Sequence, residues 1–372
     1  MSPAARNPTR PLRVLVVDDS AVAREALSAI LRRDGFEVET AFGAQSAHTR
    51  IKERRPDVVV LDLQMPGVDG LEFLEGIMQS VPLPVVVCSS IAQPGAKAAI
   101  RALELGAVDV ISKPTGGLRA MLDADKRGLS TVVTLAATAR FAGAGPRLSP
   151  QARPLSAPIM PRLSGAWRGE TIVIGASTGG TEALREVLTH LPENSPPVVI
   201  AQHMPAAFTG AFAKRLNSLS GMNVHEAKDG ELVAPGIAVV APGGRHIELV
   251  AAPNGPRVRV FDGPTVSGHR PSVDVLFRSA ARTAGRRAIG VLLTGIGQDG
   301  ARGLLQLKEA GAHTIAQSER SCVVFGMPAA AISLGASCEV ADIEDIPSAI
   351  VAALPRRSST QTNLHLQRET HP

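Results

Sequence analysis

The chain has 372 residues, 44% hydrophobic and 20% charged, which suits two ordinary globular domains and excludes an intrinsically disordered or collagen-like chain. Its net charge of +5 is carried largely by arginines of the N-terminal arm, a Pro-rich middle stretch and the tail, and aromatics make up only 3%. Charge and stacking side chains therefore do not combine into a nucleic-acid-binding face.

No apolar run approaches the ~20 residues of a membrane span, so no direct membrane insertion is expected. The arm before Arg13 is polar and Pro-rich, without the apolar core of a signal peptide. Cys88, Cys322 and Cys338 have neither metal-ligand nor redox-motif spacing, and read as buried thiols in a reducing compartment. A cytoplasmic location is expected.

From Leu12 onward, Val-rich runs alternate with helical periodicity. Strands are predicted over Arg13–Val17, Asp57–Leu61, Leu83–Cys88 and Val108–Ile111, and helices over Ala21–Arg33, Leu71–Gln79 and Ala96–Leu105. Continuous apolar strands followed by amphipathic helices indicate a parallel sheet with crossover helices. Asp18 and Asp19 end the first strand, Asp62 the second, Ser89 the third and Lys113 the fourth. Ligands collect beyond the carboxyl ends of such strands, so the topology gathers these residues in one pocket. Clustered carboxylates suit Mg²⁺, a Lys can neutralise a phosphoryl group, and a serine hydroxyl can bind its oxygens. An Asp after a strand is by itself more often a helix cap. The coincidence at every strand end carries the argument.

The motifs Val-Val-Asp18-Asp19-Ser, Leu-Asp62-Leu-Gln-Met-Pro-Gly, Cys-Ser89-Ser and Ser-Lys113-Pro resemble those of response-regulator receiver domains. The resemblance implies a flavodoxin-like doubly wound fold over 12–128. It also implies Asp62 as phosphoacceptor, Asp18, Asp19 and Asp62 as Mg²⁺ ligands, and Ser89 and Lys113 as the switch residues.

Residues 129–168 turn to Gly, Pro, Ser and Arg after some initial helix potential, and read as an interdomain linker. A second alternating pattern occupies 169–355. Its strands are predicted at Thr171–Ile174, Pro197–Gln202, Ile237–Ala241, His246–Val250, Arg257–Phe261, Ala288–Leu293, His313–Ala316 and Ser337–Val340. Its helices are predicted at Thr181–His190, Ala206–Leu219, Val273–Ala284, Ala301–Ala310 and Ala329–Leu334. This is a second, mostly parallel α/β sheet, with antiparallel strands inserted near its middle. The tail 356–372 is polar, and disorder is favoured there over a docking peptide.

Gly175-Ala-Ser177-Thr-Gly179 runs from strand into helix and matches Gly-x-Ser-x-Gly, a turn that exposes a serine oxygen at the sheet top. The bland alternative is a Gly-rich helix entrance capped by Ser177. Among nine histidines, His203 stands directly after a strand and is best placed as base; His246 and His269, both in loops, compete. Asp299 follows the Val291-Leu-Leu-Thr strand and can orient the base. That segment also reads Gly-x-Gly-x-x-Gly, with Glu319 about 20 residues on, a dinucleotide fingerprint. An acid beside its third glycine is unfavourable for pyrophosphate and suits a histidinium. A non-catalytic binding module and a nucleotide-dependent oxidoreductase are the rival readings.

The phrases Ile-Gly-Ala-Ser177-Thr-Gly-Gly-Thr, Gln-His203-Met-Pro, Ala-Pro-Gly-Gly-Arg-His246, His269-Arg-Pro-Ser-Val-Asp274, Leu-Thr-Gly-Ile-Gly-Gln-Asp299-Gly and Cys322-Val-Val-Phe-Gly-Met-Pro resemble the chemotaxis protein-glutamate methylesterases. The resemblance implies a Ser177–His203–Asp299 triad acting on glutamyl methyl esters of chemoreceptor cytoplasmic helices, with receptor glutamine deamidation as a second activity. Thr178 and Ile296 are expected near the oxyanion, and His246 and His269 are substrate-contact candidates. No cofactor is expected for ester hydrolysis. A chemotaxis histidine kinase is the implied phosphodonor, and the receiver is expected to cover the active site until phosphorylated.

Overall fold

The computed structural model describes residues 10–65, 68–89, 93–113, 128–138, 162–164 and 167–354. The N-terminal half contains strands β1 (Arg13–Val17), β2 (Glu37–Ala41), β3 (Val58–Leu61), the two-residue β4 (Gln64–Met65) and β5 (Val68–Asp69), β6 (Val85–Ser89) and β7 (Asp109–Ser112). Its helices are α1 (Ala21–Arg33), α2 (Ala44–Glu53), α3 (Gly70–Ser80), α4 (Gln93–Glu104) and α5 (Leu129–Thr138). Five strands form a parallel sheet ordered β2-β1-β3-β6-β7, a doubly wound order with β3 at its centre. Helix α1 opens on Ser20, whose hydroxyl accepts from the Ala23 N–H, and closes on Arg32 and Arg33, which suit its negative end.

Strand β2 and helix α2, like the two-residue β4 and β5, have no counterpart in the sequence reading. Strand β2 is an edge strand carrying Glu37 and Glu39, and α2 buries only Ala44, Ala47 and Ile51. Both lack the continuous apolar signature of the inner strands. The expected boundary at 128/129 needs correction. Leu129, Val132, Val133, Ala136 and Ala137 of α5 are buried in one cluster with Val14, Val16, Val58, Val60 and Val86. This helix is part of the N-terminal core and not of an extended connector. The rest of the linker up to Pro161, and the tail from Pro355, lie outside the described residues.

The C-terminal half contains β8 (Thr171–Ala176), β9 (Val198–Gln202), β10 (Asn223–Glu226), β11 (Ile237–Val240), β12 (His246–Val250), β13 (Arg257–Phe261), β14 (Ala288–Leu292), β15 (His313–Gln317) and β16 (Glu339–Ala341). Its helices are α6 (Gly180–His190), α7 (Ala206–Leu219), α8 (Val273–Thr283), α9 (Ala301–Glu309), α10 (Met327–Ser333) and α11 (Ile346–Ala353). Seven strands form an entirely parallel sheet ordered β10-β11-β9-β8-β14-β15-β16. The antiparallel pair β12–β13 is not inserted in it; these strands make a separate two-stranded sheet. Strand β10 and helix α11 are further elements beyond the sequence prediction, at the sheet edge and at the end of the domain.

The central strand β8 is fully buried, with β9 on one side and β14 on the other. The chain winds outward from β8 in both directions, which opens a crevice at the carboxyl ends of these strands. Two glycines let the first turn fit there. A Cβ at Gly175 would overlap the Val273 side chain, and one at Gly179, whose φ is 76°, would come within 2.6 Å of the Val323 Cβ. Among the described residues, no helix is long and apolar enough to cross a membrane.

Candidate functional site

Ser177, His203 and Asp299 follow β8, β9 and β14, so the fold brings these predicted residues to one crevice. Ala176 pairs with Gln202 across the β8–β9 ladder, which sets Ser177 beside His203. The arrangement is tied further by backbone and amide bonds. The His203 N–H donates to Ala176 O (3.0 Å), and the Gln202 side-chain amide donates to Ser177 O (2.9 Å) and His203 O (3.3 Å). The Ser177 N–H is spent on Thr294 O (3.0 Å). Gly295 lies directly against Ser177, where a Cβ would come 2.6 Å from the serine Cβ. Ile296 is the next residue in the chain.

His203 Nε2 lies 2.9 Å from Asp299 Oδ2, and the two side chains are 2% and 0% exposed. Asp299 is held from three other directions. It accepts from the Ser272 hydroxyl (2.8 Å), the Val273 N–H (2.7 Å) and the Asp274 N–H (3.1 Å) at the start of α8. Burial alone would raise its carboxyl, but the His203 bond and these donors outweigh burial and hold it below the usual carboxylate range. Asp274 reciprocates by accepting from the Gly303 N–H (2.7 Å) at the start of α9. Burial pushes the Asp274 carboxyl up. Each acid thus caps the helix that the other acid's segment leads into. This crosswise capping also removes the dinucleotide reading, because Asp274 occupies the α9 entrance where a pyrophosphate would sit.

The histidine competitors separate clearly. His269 lies flat on His203, with ring centroids 3.7 Å apart and planes 5° apart. His246 needs correction as a substrate-contact candidate. It is buried, its Nε2–H donates to Pro264 O (2.8 Å), and its Nδ1 accepts from the Ser272 N–H (3.2 Å). Both nitrogens are used to hold the loop that carries His269. Burial pushes the Cys322 thiol up to about 12, so it is no rival nucleophile. Cys338 is exposed, contrary to the expectation of three buried thiols.

At the carboxyl end of the first sheet, Asp18, Asp19 and Asp62 have carboxylate oxygens within 4.8 Å of one another; Asp18 and Asp62 are buried, and Asp19 is exposed. Lys113 Nζ lies 2.7 Å from both Asp18 Oδ2 and Asp62 Oδ2. Burial would lower the lysine, but bonding to the two carboxylates outweighs it and raises its affinity for the proton. Burial likewise raises the Asp18 carboxyl, more than Lys113 lowers it. A buried carboxylate left short of compensation is the environment a hard dication relieves, so this oxygen set fits Mg²⁺. Ser89 ends β6, is buried, and donates to Gly95 O at 3.4 Å.

The two halves also meet beside Ser177. The Thr178 hydroxyl, next to Ser177, donates to Asp109 Oδ2 of β7 at 2.7 Å, and both residues are buried. Val323 packs against the α5 side of the N-terminal core, and Glu104 of α4 pairs with Arg215 of α7. Asp109 was not singled out in the sequence, because an acid opening a buried strand has no motif around it. Ser272 and Asp274 stood inside a quoted phrase without an assigned role.

A family model described as CheB methylesterase matches residues 172–350, and one described as response regulator receiver domain matches residues 14–123. The protein-glutamate methylesterase/protein-glutamine glutaminase 1 of Anaeromyxobacter dehalogenans is 51% identical over 344 residues, 91% of this chain and 98% of its own length. The corresponding protein of Salmonella typhi is 48% identical over 345 residues, 92% of this chain and 97% of its own. Among solved structures, the CheB methylesterase catalytic domain of Thermotoga maritima is 38% identical and covers 50% of this chain and 100% of that one, with a TM-score of 0.49.

Proposed function

The chain belongs to the family of receiver-linked protein-glutamate methylesterases, and from that membership we propose that it hydrolyses γ-glutamyl methyl esters on chemoreceptors under the control of receiver phosphorylation. Deamidation of receptor glutamines is its second activity. The observation that carries the chemistry is the buried His203–Asp299 pair at the strand ends beside Ser177.

Asp299 engages Nε2, so Nδ1 is the nitrogen that takes the Ser177 proton. Ser177 Oγ attacks the ester carbonyl, and N–H groups of Thr178 and Ile296 receive the oxyanion. The His203 proton then passes to the departing methoxide, which leaves as methanol. A water loses its proton to His203 and attacks the acyl-enzyme; glutamate leaves and Ser177 regains its proton. A carboxamide follows the same course with ammonia as the leaving group, and there protonation by His203 is obligatory.

On the receiver, Asp62 is the phosphoacceptor, Asp18, Asp19 and Asp62 hold Mg²⁺, and Lys113 and Ser89 receive the phosphoryl oxygens. A chemotaxis histidine kinase is the phosphodonor. Mg²⁺ offsets the crowding of the carboxylates. Mg²⁺ at 100 times its Kd is expected to stabilise the folded chain by about 2.7 kcal/mol. Thermal melts with Mg²⁺ and with chelator measure this, and Asp18→Asn should remove most of the difference. Equal melting in both conditions, with Mg²⁺ present at that excess, would exclude the site.

The Thr178–Asp109 and Arg215–Glu104 contacts support a closed state in which the receiver covers the crevice. Phosphorylation shifts the chain to an open state, with the linker permitting the movement. The test is methanol release from methylated receptor membranes with and without a small phosphodonor and Mg²⁺. Release by the wild-type chain should rise with the donor, and Asp62→Ala should not respond. No release in any condition from folded protein would return the C-terminal domain to a binding role.

A further inference from the structure

We infer that His269 is a positioning residue for the catalytic base, fixing the plane of the His203 ring so that its Nδ1 is carried toward Ser177. This rests on the triad reading above and adds a member that acts only through His203. The Asp299 bond holds one ring atom, Nε2, and a hydrogen bond tolerates tens of degrees of tilt before it weakens steeply. Rotation about the imidazole's own χ2 bond has a broad torsional minimum and supplies little further restraint. Packing against a flat face restrains the ring plane directly. A flat partner at a centroid distance of 3.7 Å and an interplanar angle of 5° does this.

The loop that delivers His269 is built for that placement. Val266 and His269 exchange backbone bonds, N–H to O, of 3.1 and 3.0 Å across a two-residue turn. Both turn residues are left-handed, Ser267 at φ 53° and Gly268 at φ 80°. A serine there is strained, and such strain persists only where the surroundings over-determine it. They do so here. His246 bonds Pro264 O at one shoulder and the Ser272 N–H at the other. Arg270 donates to Gly263 O (2.6 Å), and the Gly244 N–H donates to Arg270 O (3.0 Å).

Stacking also serves the charged stage of the reaction. When His203 holds the serine proton, its positive charge lies over the π face of the His269 ring, a contact of the cation–π kind. The half-buried His269 further separates that cation from bulk water.

The experiment compares wild type, His269→Ala, His269→Phe and His203→Ala as full-length chains. Methanol release is measured with phosphodonor and Mg²⁺, and Ser177 labelling is followed with a serine-directed phosphonate. His269→Ala should lower kcat roughly 10- to 100-fold, the cost of about an ångström of misplacement, with KM nearly unchanged and labelling slowed in parallel. His269→Phe, which restores a flat partner without ring nitrogens, should recover most of the loss. Unchanged kcat and labelling in a folded His269→Ala would overturn the inference while an inactive His203→Ala left the triad standing. A rise in KM alone would overturn it in favour of substrate contact, as would a Phe variant no better than Ala in favour of a proton-transfer role. Retained activity in His203→Ala would instead defeat the triad reading, and with it this inference.

Discussion

Replacing Ser177 or His203 by alanine is expected to lower turnover by roughly 10⁴–10⁶-fold, and replacing both to cost little more than either alone. The reason is geometric. Serine oxygen is a weak nucleophile until a base takes its proton, and among the described residues His203 is the imidazole that pairs with a buried carboxylate and follows the strand beside Ser177. Without His203 the serine has no acceptor; without Ser177 the base has nothing to activate. Both single variants should remain folded, because neither side chain fills the hydrophobic cores. Methanol release from methylated receptor membranes measures the loss, with near-ultraviolet circular dichroism as a folding control. Substantial release by Ser177→Ala would defeat the triad.

Asp109→Ala should have the opposite effect and raise the unphosphorylated rate about 10- to 100-fold. Its carboxylate accepts the Thr178 hydroxyl at 2.7 Å in a buried contact between the two domains. A hydrogen bond to a charged acceptor contributes on the order of 1.5–3 kcal/mol, and its loss shifts a closed–open equilibrium by the corresponding factor. Glu104→Ala, which removes a more exposed ion pair with Arg215, should release less. Deleting residues 1–164 should match or exceed the Asp109 variant. The comparison is the basal rate against the phosphodonor-stimulated rate for each protein. A large fall in basal activity on deletion would contradict control by cover.

Much of the architecture was legible because buried parallel strands announce themselves as unbroken Val and Ile runs. Strands β1, β3, β8, β9 and β14 follow that pattern; the first four end at Asp18, Asp62, Ser177 and His203, and the loop after β14 carries Asp299. Strand β2 was missed because Glu-Val-Glu-Thr-Ala at a sheet edge keeps its glutamates in water. Helix α5 was assigned to the linker because its neighbours in sequence are polar, whereas its partners in space are β-strand valines more than 40 residues away. His246 looked like a reactive loop histidine, since a one-dimensional reading does not reveal that both of its nitrogens are spent. The contact between Asp109 and Thr178 spans 69 residues and two domains, and no local spacing encodes it.

The reciprocal capping of α8 and α9 by Asp299 and Asp274 has a consequence for timing. Asp299 is fastened to the same helix entrances whether or not the receiver is in place, because every donor to it comes from the C-terminal domain. The His203–Asp299 half of the proposed site would therefore stand ready before any signal. Under the proposed control by cover, the delay between phosphorylation and demethylation would be set by the receiver leaving Thr178, with no interval for assembling the His203–Asp299 pair.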